Sequence, residues 1–327
     1  MRSTPVGLVP ERGFLATQMA KMQELAESAM PAYEIVEYDP VIDSANMTPD
    51  HWLMIAEDIS ERYAEFDGFV VLHGTDTMAY TSSALPFMLR GLGKPVILTG
   101  SQLPLGQVRN DARENLKTAM MFAADYAIPE VGLFFGEMLL RGCRATKASA
   151  SRLDAFDSPN YPPLGFAETA IEIFPDRILP FEGDLAAPLI VEPIWPVEIA
   201  TFRLFPGMSV DILRNVLNRP LRALILESFG VGNGPATNRE FLETIHSATN
   251  VDIVVVTCTQ CRHGCISQSA YAAGRALADS GVVSGGDITI EAAIAKLFYL
   301  FSRKLAVSEI KQQFEVDLVG ELTQSKI

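Results

Sequence analysis

The segment Gly68-Phe69-Val70-Val71-Leu72-His73-Gly74-Thr75-Asp76-Thr77-Met78 decides how this chain folds. Its first half is a short, unbroken apolar run with β-branched residues, the pattern of a strand covered on both faces. Its second half offers a glycine turn and then hydroxyl and carboxylate side chains of the kind that open a helix, and a helical pattern runs on from Met78 to Leu92. A buried strand that turns tightly into a helix is half of a parallel crossover unit.

Upstream, Thr48 stands as an N-cap and Pro49 at the first helical position, which predicts a helix through Trp52, Leu53, Ile55, Ala56 and Ile59. Glu34 to Tyr38 alternates as a strand does. Phe14, Leu15, Met19, Met22 and Leu25 share one face of a helix expected from about Glu11 to Ala29, and Met1 to Pro10 reads as a loop. Downstream, Val96 to Leu98 and Val131 to Phe135 are further apolar strands. The alternation predicts a two-domain α/β protein, with a doubly wound, mainly parallel sheet in a larger N-terminal domain over residues 1–177.

Pro180, Pro188, Pro193 and Pro196 break up residues 178–197, read as a linker. Residues 198–327 then repeat the alternation as a smaller α/β domain. Its strands are expected near Ile199 to Leu204, Leu224 to Leu226 and Ile253 to Val256. Its helices are expected near Val210 to Leu217, Arg239 to Ser247 and Ser269 to Asp279, with a closing pair at Ile290 to Ser302 and Val307 to Phe314. Doubly wound domains usually open with a central strand. A chain that opens with a loop and a helix either lacks a first strand or belongs to a fold that simply starts with a helix.

The bulk properties narrow the partners. A formal net charge of -14 argues against nucleic acid and against an anionic membrane surface, both of which are held mainly by Lys and Arg. No apolar run approaches the roughly 20 residues that span a bilayer. The first twenty residues hold charges and prolines rather than a signal-peptide core, so a cytoplasmic protein is expected. Three of the four cysteines, Cys258, Cys261 and Cys265, crowd one short stretch, which suits a reducing compartment better than a disulfide framework.

The carboxyl edge of a parallel sheet is where such folds bind ligands, and a helix amino end there points N–H groups at a carboxylate or an oxyanion. Thr75 and Asp76 lie at that place, either as helix caps or as a hydroxyl and a carboxylate for chemistry. His73 is a conceivable base for the hydroxyl, or a buried, hydrogen-bonded histidine. Lys147 follows the Val131 to Phe135 strand and can reach the same edge as a base, or stand as a solvated charge beside its arginine neighbours. No Gly-x-Ser-x-Gly elbow accompanies them. Cys258, Cys261, His263 and Cys265 are zinc-ligand types, but their spacing fits none of the common zinc signatures, and neither metal nor cofactor is expected. Gly230, Gly232 and Gly234 make a glycine-rich turn without completing a dinucleotide fingerprint.

Taken together, the motifs resemble one family. His73-Gly74-Thr75-Asp76-Thr77-Met78 and Asp43-Ser44-Ala45-Asn46-Met47-Thr48 are similar to those of the dimeric or tetrameric L-asparaginases, nearest the bacterial type I, cytoplasmic branch. The likeness continues through Thr99-Gly100-Ser101-Gln102-Leu103-Pro104, Thr146-Lys147-Ala148 and Phe156-Asp157-Ser158-Pro159-Asn160. It extends to Ser228-Phe229-Gly230-Val231-Gly232-Asn233-Gly234 and Thr259-Gln260-Cys261. The resemblance implies hydrolysis of L-asparagine to L-aspartate and ammonia through a threonine acyl-enzyme. It implies that Thr75, Asp76 and Lys147 form a catalytic set in which the lysine eases proton removal from the threonine. Asp76 and Asp43 would hold the substrate ammonium and Ser44 its carboxylate. The Ser101 carbonyl would accept from the amide that leaves, and Asn233 would come from a neighbouring copy of a homodimer or homotetramer.

The departure lies at the start. Family members open with a strand and a Thr-Gly-Gly-Thr-Ile turn that carries the other catalytic threonine, and Met1-Arg2-Ser3-Thr4 matches the loop after it. Ser3 and Thr4 are substitutes on a loop without the positioning that attack requires. Little turnover is therefore expected of the chain as written. Lesser activity on glutamine is possible. The alternatives are an amino-acid-binding protein without catalysis, or an amidase for another primary amide such as amidated tRNA, against which the net charge of -14 argues.

Overall fold

The computed structural model describes residues 2–4, 7–9 and 11–323, with side chains from Val9 onward. Contacts divide the chain into two compact units, residues 1–158 with 162–192, and residues 159–161 with 193–327.

The first unit is built on a six-stranded sheet. Its order is Ile171–Ile173, Gly165–Ala167, Met138–Arg141, Val131–Phe135, Val96–Thr99 and Phe69–Leu72. The last three strands pair in parallel and the others antiparallel, so the parallel, alternating part of the sheet is the part that ends at Thr75. Val96 to Leu98 and Val131 to Phe135 are almost wholly buried, as the unbroken apolar runs required. Helices Met78–Met88 and Ala112–Asp125 supply the crossovers. Helix Pro49–Glu61 starts as its proline predicted and buries Trp52, Ile55, Ala56 and Ile59.

Three sequence expectations are corrected here. Arg2–Thr4 and Gly7–Val9 pair as an antiparallel hairpin rather than forming a loop. The side chains of Ser3 and Thr4 lie outside the described residues. The helix expected from Glu11 to Ala29 is a six-residue helix, Phe14–Met19, followed by a 3-10 turn at Gln23–Ala26. Met19, Met22 and Leu25 still share a face, but they follow Leu116 and Met120, against which they pack, instead of one continuous helical period. Glu34 to Tyr38 joins no ladder among the described residues. Side chains hold it instead, with Arg62 donating to Glu34 at 3.1 Å and the Gly13 N–H donating to Glu37 at 2.6 Å.

The second unit carries a four-stranded, all-parallel sheet, in the order Ile199–Arg203, Ala223–Ser228, Val254–Thr259 and Val283–Ser284. The fourth strand has no counterpart in the sequence reading, because two residues are too few to show a period. One core gathers Leu213, Leu224, Leu226, Phe241, Ile245, Val255 and Leu277. Helices Ile290–Ser302 and Val307–Phe314 stand where their apolar periodicity placed them.

At the end of this unit Lys296 and Glu321 form an ion pair at 2.6 Å with both side chains fully buried. Asp317 lies against Glu321. Burial, the hydrogen bond to Glu321 and the charge of Glu321 push the Asp317 carboxyl up to about 6. In the unfolded chain it ionises near its ordinary value of about 4. The unfolded state therefore loses this proton first, and stability from this group falls as pH rises from about 4 to about 6. Asp317→Asn removes that dependence. Its gain in urea midpoint over the parent protein is expected to grow from about pH 4 to about pH 7 and to stay flat above. A gain that is constant across that range, or a loss at neutral pH, would refute the assignment.

Candidate active site

Backbone geometry brings the site together. Strand Phe69–Leu72 runs parallel to Val96–Thr99, so both carboxyl ends emerge on one edge. The His73 N–H donates to the Thr99 carbonyl at 2.8 Å and carries the ladder one residue further. The segments beyond, His73 to Thr77 and Gly100 to Leu103, then lie side by side. Only glycine fits at two of these positions. A Cβ at Gly100 would stand 2.2 Å from the His73 carbonyl oxygen, and one at Gly74 would stand 2.4 Å from the Ser44 hydroxyl.

Lys147 arrives from another direction. It lies in a two-residue strand, Thr146–Lys147, paired antiparallel with Phe156–Asp157. From there its ammonium reaches Thr75 Oγ1 at 2.9 Å and Asp76 Oδ1 at 2.6 Å. The lysine side chain is 21% exposed and the Asp76 side chain 68% exposed. The amine is thus held inside the site, while the carboxylate stays open to a ligand.

A residue that the sequence reading left inside its motif joins them. The Thr75 hydroxyl donates to Gln102 Oε1 at 3.2 Å. Gln102 Nε2 donates to the Arg152 carbonyl at 3.2 Å and lies 3.5 Å from the Ser149 carbonyl. The Asp111 carboxylate accepts from the N–H groups of both Gln102 and Leu103 at 2.9 Å. Asn115 Nδ2 donates to the Gly100 carbonyl at 2.9 Å, and its Oδ1 accepts from the Gly136 N–H at 3.1 Å. One fixed turn therefore carries both Ser101 and Gln102.

Comparison with known proteins decides the family. Residues 3–178 match the family described as Asparaginase, N-terminal, and residues 198–314 match the Glutaminase/Asparaginase C-terminal domain. The chain is 48% identical over 324 residues to L-asparaginase 1 of Escherichia coli K12, covering 99% of this chain and 94% of that protein. The chain belongs to the asparaginase family. Among solved structures, L-asparaginase I of Vibrio cholerae superposes with a TM-score of 0.91 at 45% identity, covering 99% of this chain and 95% of that one. The L-asparaginase of Thermococcus kodakarensis gives 0.87 at 32% identity, covering 99% and 96%.

The other predicted site residues of this asparaginase-family chain fall in two places. Ser44 is buried, and its carbonyl accepts from the Thr77 hydroxyl at 2.7 Å, which ties the Asp43–Asn46 turn to the start of the Met78–Met88 helix. Asp43 Oδ1 accepts from the Ala45 N–H at 3.1 Å and leaves its second oxygen for other donors. Asn233 belongs to the second unit, where it bridges to Phe229 after strand Ala223–Ser228. Its Oδ1 is buried and has no hydrogen-bond partner among the described residues.

His73 is placed as a structural histidine. Its Nδ1 sits 2.7 Å from the Gly74 carbonyl, which can only accept, so that nitrogen carries the proton. Nε2 is then an acceptor for the Thr81 hydroxyl at 2.8 Å, and Thr81 in turn accepts from Trp52 Nε1 at 3.0 Å. Burial lowers the pKa of the ring, against an opposing contribution from the Gly74 hydrogen bond, and keeps it neutral. Every polar atom of the imidazole is used in this chain, so none is left to serve as a base for Thr75.

Cys258 points into the core of the second unit. Burial, with help from the Glu227 charge, pushes its thiol up to about 12. Cys261 and Cys265 are exposed, and among the described residues no three His, Cys, Asp or Glu side chains converge as a metal site would need. No helix among the described residues is long and apolar enough to cross a membrane.

Proposed function

We propose that this protein hydrolyses L-asparagine to L-aspartate and ammonia through a threonine acyl-enzyme. A hydroxyl oxygen attacks the side-chain amide carbon, the C–N bond breaks and nitrogen leaves as ammonia. Water then cleaves the ester to give aspartate. The observation that carries the reading is Lys147 Nζ within hydrogen-bond reach of both Thr75 Oγ1 and Asp76 Oδ1. An alcohol, an amine and a carboxylate in that order can move a proton to and from a reacting hydroxyl. Asp76, open to solvent, and Asp43 would take the substrate ammonium, Ser44 its carboxylate, and the Ser101 carbonyl the departing amide. The asparaginase relatives support the choice of asparagine.

Self-association as a homodimer or homotetramer belongs to the same reading. A cytoplasmic location agrees with four free thiols. A second reading is binding of the amino acid without turnover.

Ammonia release from asparagine, measured beside calorimetry with L-aspartate, separates the two. Release with faster turnover of asparagine than of glutamine is expected for the first reading. Aspartate binding with no ammonia would leave only the second, and neither binding nor release would remove both.

A further inference from the structure

We propose that Gln102 is a positioning residue that sets the rotation of the Thr75 hydroxyl, and so decides where its proton and lone pairs point. The inference rests on the asparaginase reading for its meaning in turnover, but its geometry stands without it. An amide side chain is nearly symmetric in shape, so its partners must say which end is oxygen. Here they do. The carbonyl oxygens of Arg152 at 3.2 Å and Ser149 at 3.5 Å can only accept, so the NH2 end of Gln102 faces them. The oxygen end must face Thr75, and an amide oxygen cannot donate. The one donor between the two is the Thr75 O–H.

The hydroxyl therefore turns its proton to Gln102 and a lone pair to Lys147, which donates to it at 2.9 Å. The charge of Lys147 acts in the same direction, because an ammonium repels a hydroxyl proton. One lone pair of Thr75 Oγ1 remains, and it is the one an incoming O–H or N–H can meet. Without Gln102, the proton of Thr75 is free to swing into that open direction and oppose the incoming donor.

The positioning residue is itself positioned. Asp111 grips the backbone N–H groups of Gln102 and Leu103, and the turn at Ser149 to Arg152 is fixed by the N–H groups of Ala148 and Ser149 donating to the Ala155 carbonyl at 2.8 and 3.1 Å. That turn follows Lys147 directly in sequence. The same short hairpin therefore delivers the amine to one side of Thr75 and orients the acceptor on its other side.

The test uses Gln102→Met, which keeps the length and bulk of the side chain and removes both its polar ends. Loss of the hydrogen bond from Thr75, and with it the hydroxyl's orientation, is expected to lower kcat for asparagine about tenfold, with KM within about twofold. In a Thr75→Val background the same change is expected to lower kcat no further, because the hydroxyl it orients is gone. An unchanged kcat in the single variant, or an equal further loss in the Thr75→Val background, overturns the proposal. Neutron diffraction on the unsubstituted protein decides the geometry independently of turnover. A deuteron on Thr75 Oγ1 directed at Gln102 supports the assignment, and one directed at Lys147 refutes it. If the unsubstituted protein releases no ammonia, the asparaginase reading fails and the neutron result still settles the role of Gln102.

Discussion

Replacing Lys147 by methionine is expected to lower kcat for asparagine by about two to four orders of magnitude, the usual worth of a positioned proton-transfer group, while KM holds or falls. Methionine nearly matches the length of the lysine stem, so the hairpin of Thr146–Lys147 with Phe156–Asp157 loses little packing. What goes is the amine that touches Thr75 and Asp76. Thr75 is then an ordinary alcohol with no group to exchange a proton with, and an alcohol at its free acidity is a poor relay. The expected behaviour of KM comes from Asp76. Its carboxylate now divides itself between Lys147 and any ammonium that a ligand brings. Freed from the lysine, it has more charge to offer the ligand, so ground-state binding is kept or improved while the transition state loses support. Steady-state ammonia release with aspartate calorimetry on the same variant checks both halves. A kcat within about threefold of the parent protein would remove Lys147 from the chemistry.

How much of this could be read from the residues depends on whether a local pattern or a distant partner sets each feature. Strands Val96–Thr99 and Val131–Phe135 were legible because a strand between two layers is apolar throughout, whatever its neighbours. Helix Pro49–Glu61 was legible because Pro49 and the spacing of Trp52, Ile55, Ala56 and Ile59 are local. Glu34 to Tyr38 has the alternation of a strand and is not one among the described residues, since a ladder needs a partner and alternation cannot supply it. The hairpin at Arg2–Thr4 and Gly7–Val9 is too short to display a period.

The site divides in the same way. Thr75 and Asp76 were marked by their place at a strand end, but only as caps or catalysts, without a choice between them. By itself Lys147 reads as a surface charge, and the family resemblance, not its spacing, picked it out. Its side chain is in fact mostly buried, because the hairpin that carries it folds back over the sheet edge. Gln102 gave no signal as a functional group. Its meaning comes from two backbone carbonyls nearly fifty residues downstream, and no single-sequence pattern encodes those.

The buried pair in the second unit was missed although a signal was available. Lys296 stands four residues from Ala292 and four from Leu300, both buried, so the helical period places it on the inner face of Ile290–Ser302. A cation on that face must have an anion, and Glu321 supplies it at 2.6 Å. Burial alone would raise the Glu321 pKa, but the Lys296 charge and the hydrogen bonds the carboxylate accepts outweigh it and hold the group ionised. Lys296→Met is therefore expected to cost ~3–5 kcal/mol of stability, because it strands a carboxylate that water cannot reach. The double variant Lys296→Met with Glu321→Gln should recover part of that loss. It removes the stranded charge and leaves a carbonyl oxygen to accept from the N–H groups of Leu318 and Val319, which Glu321 now serves at 3.1 and 2.8 Å. Recovery should stay incomplete, since those N–H groups then share a weaker, neutral acceptor. Urea unfolding of the three proteins measures the order, parent above double variant above single. A single variant within ~1 kcal/mol of the parent would mean that the buried carboxylate takes up a proton cheaply, and that the ion pair does not hold the end of the chain to this helix.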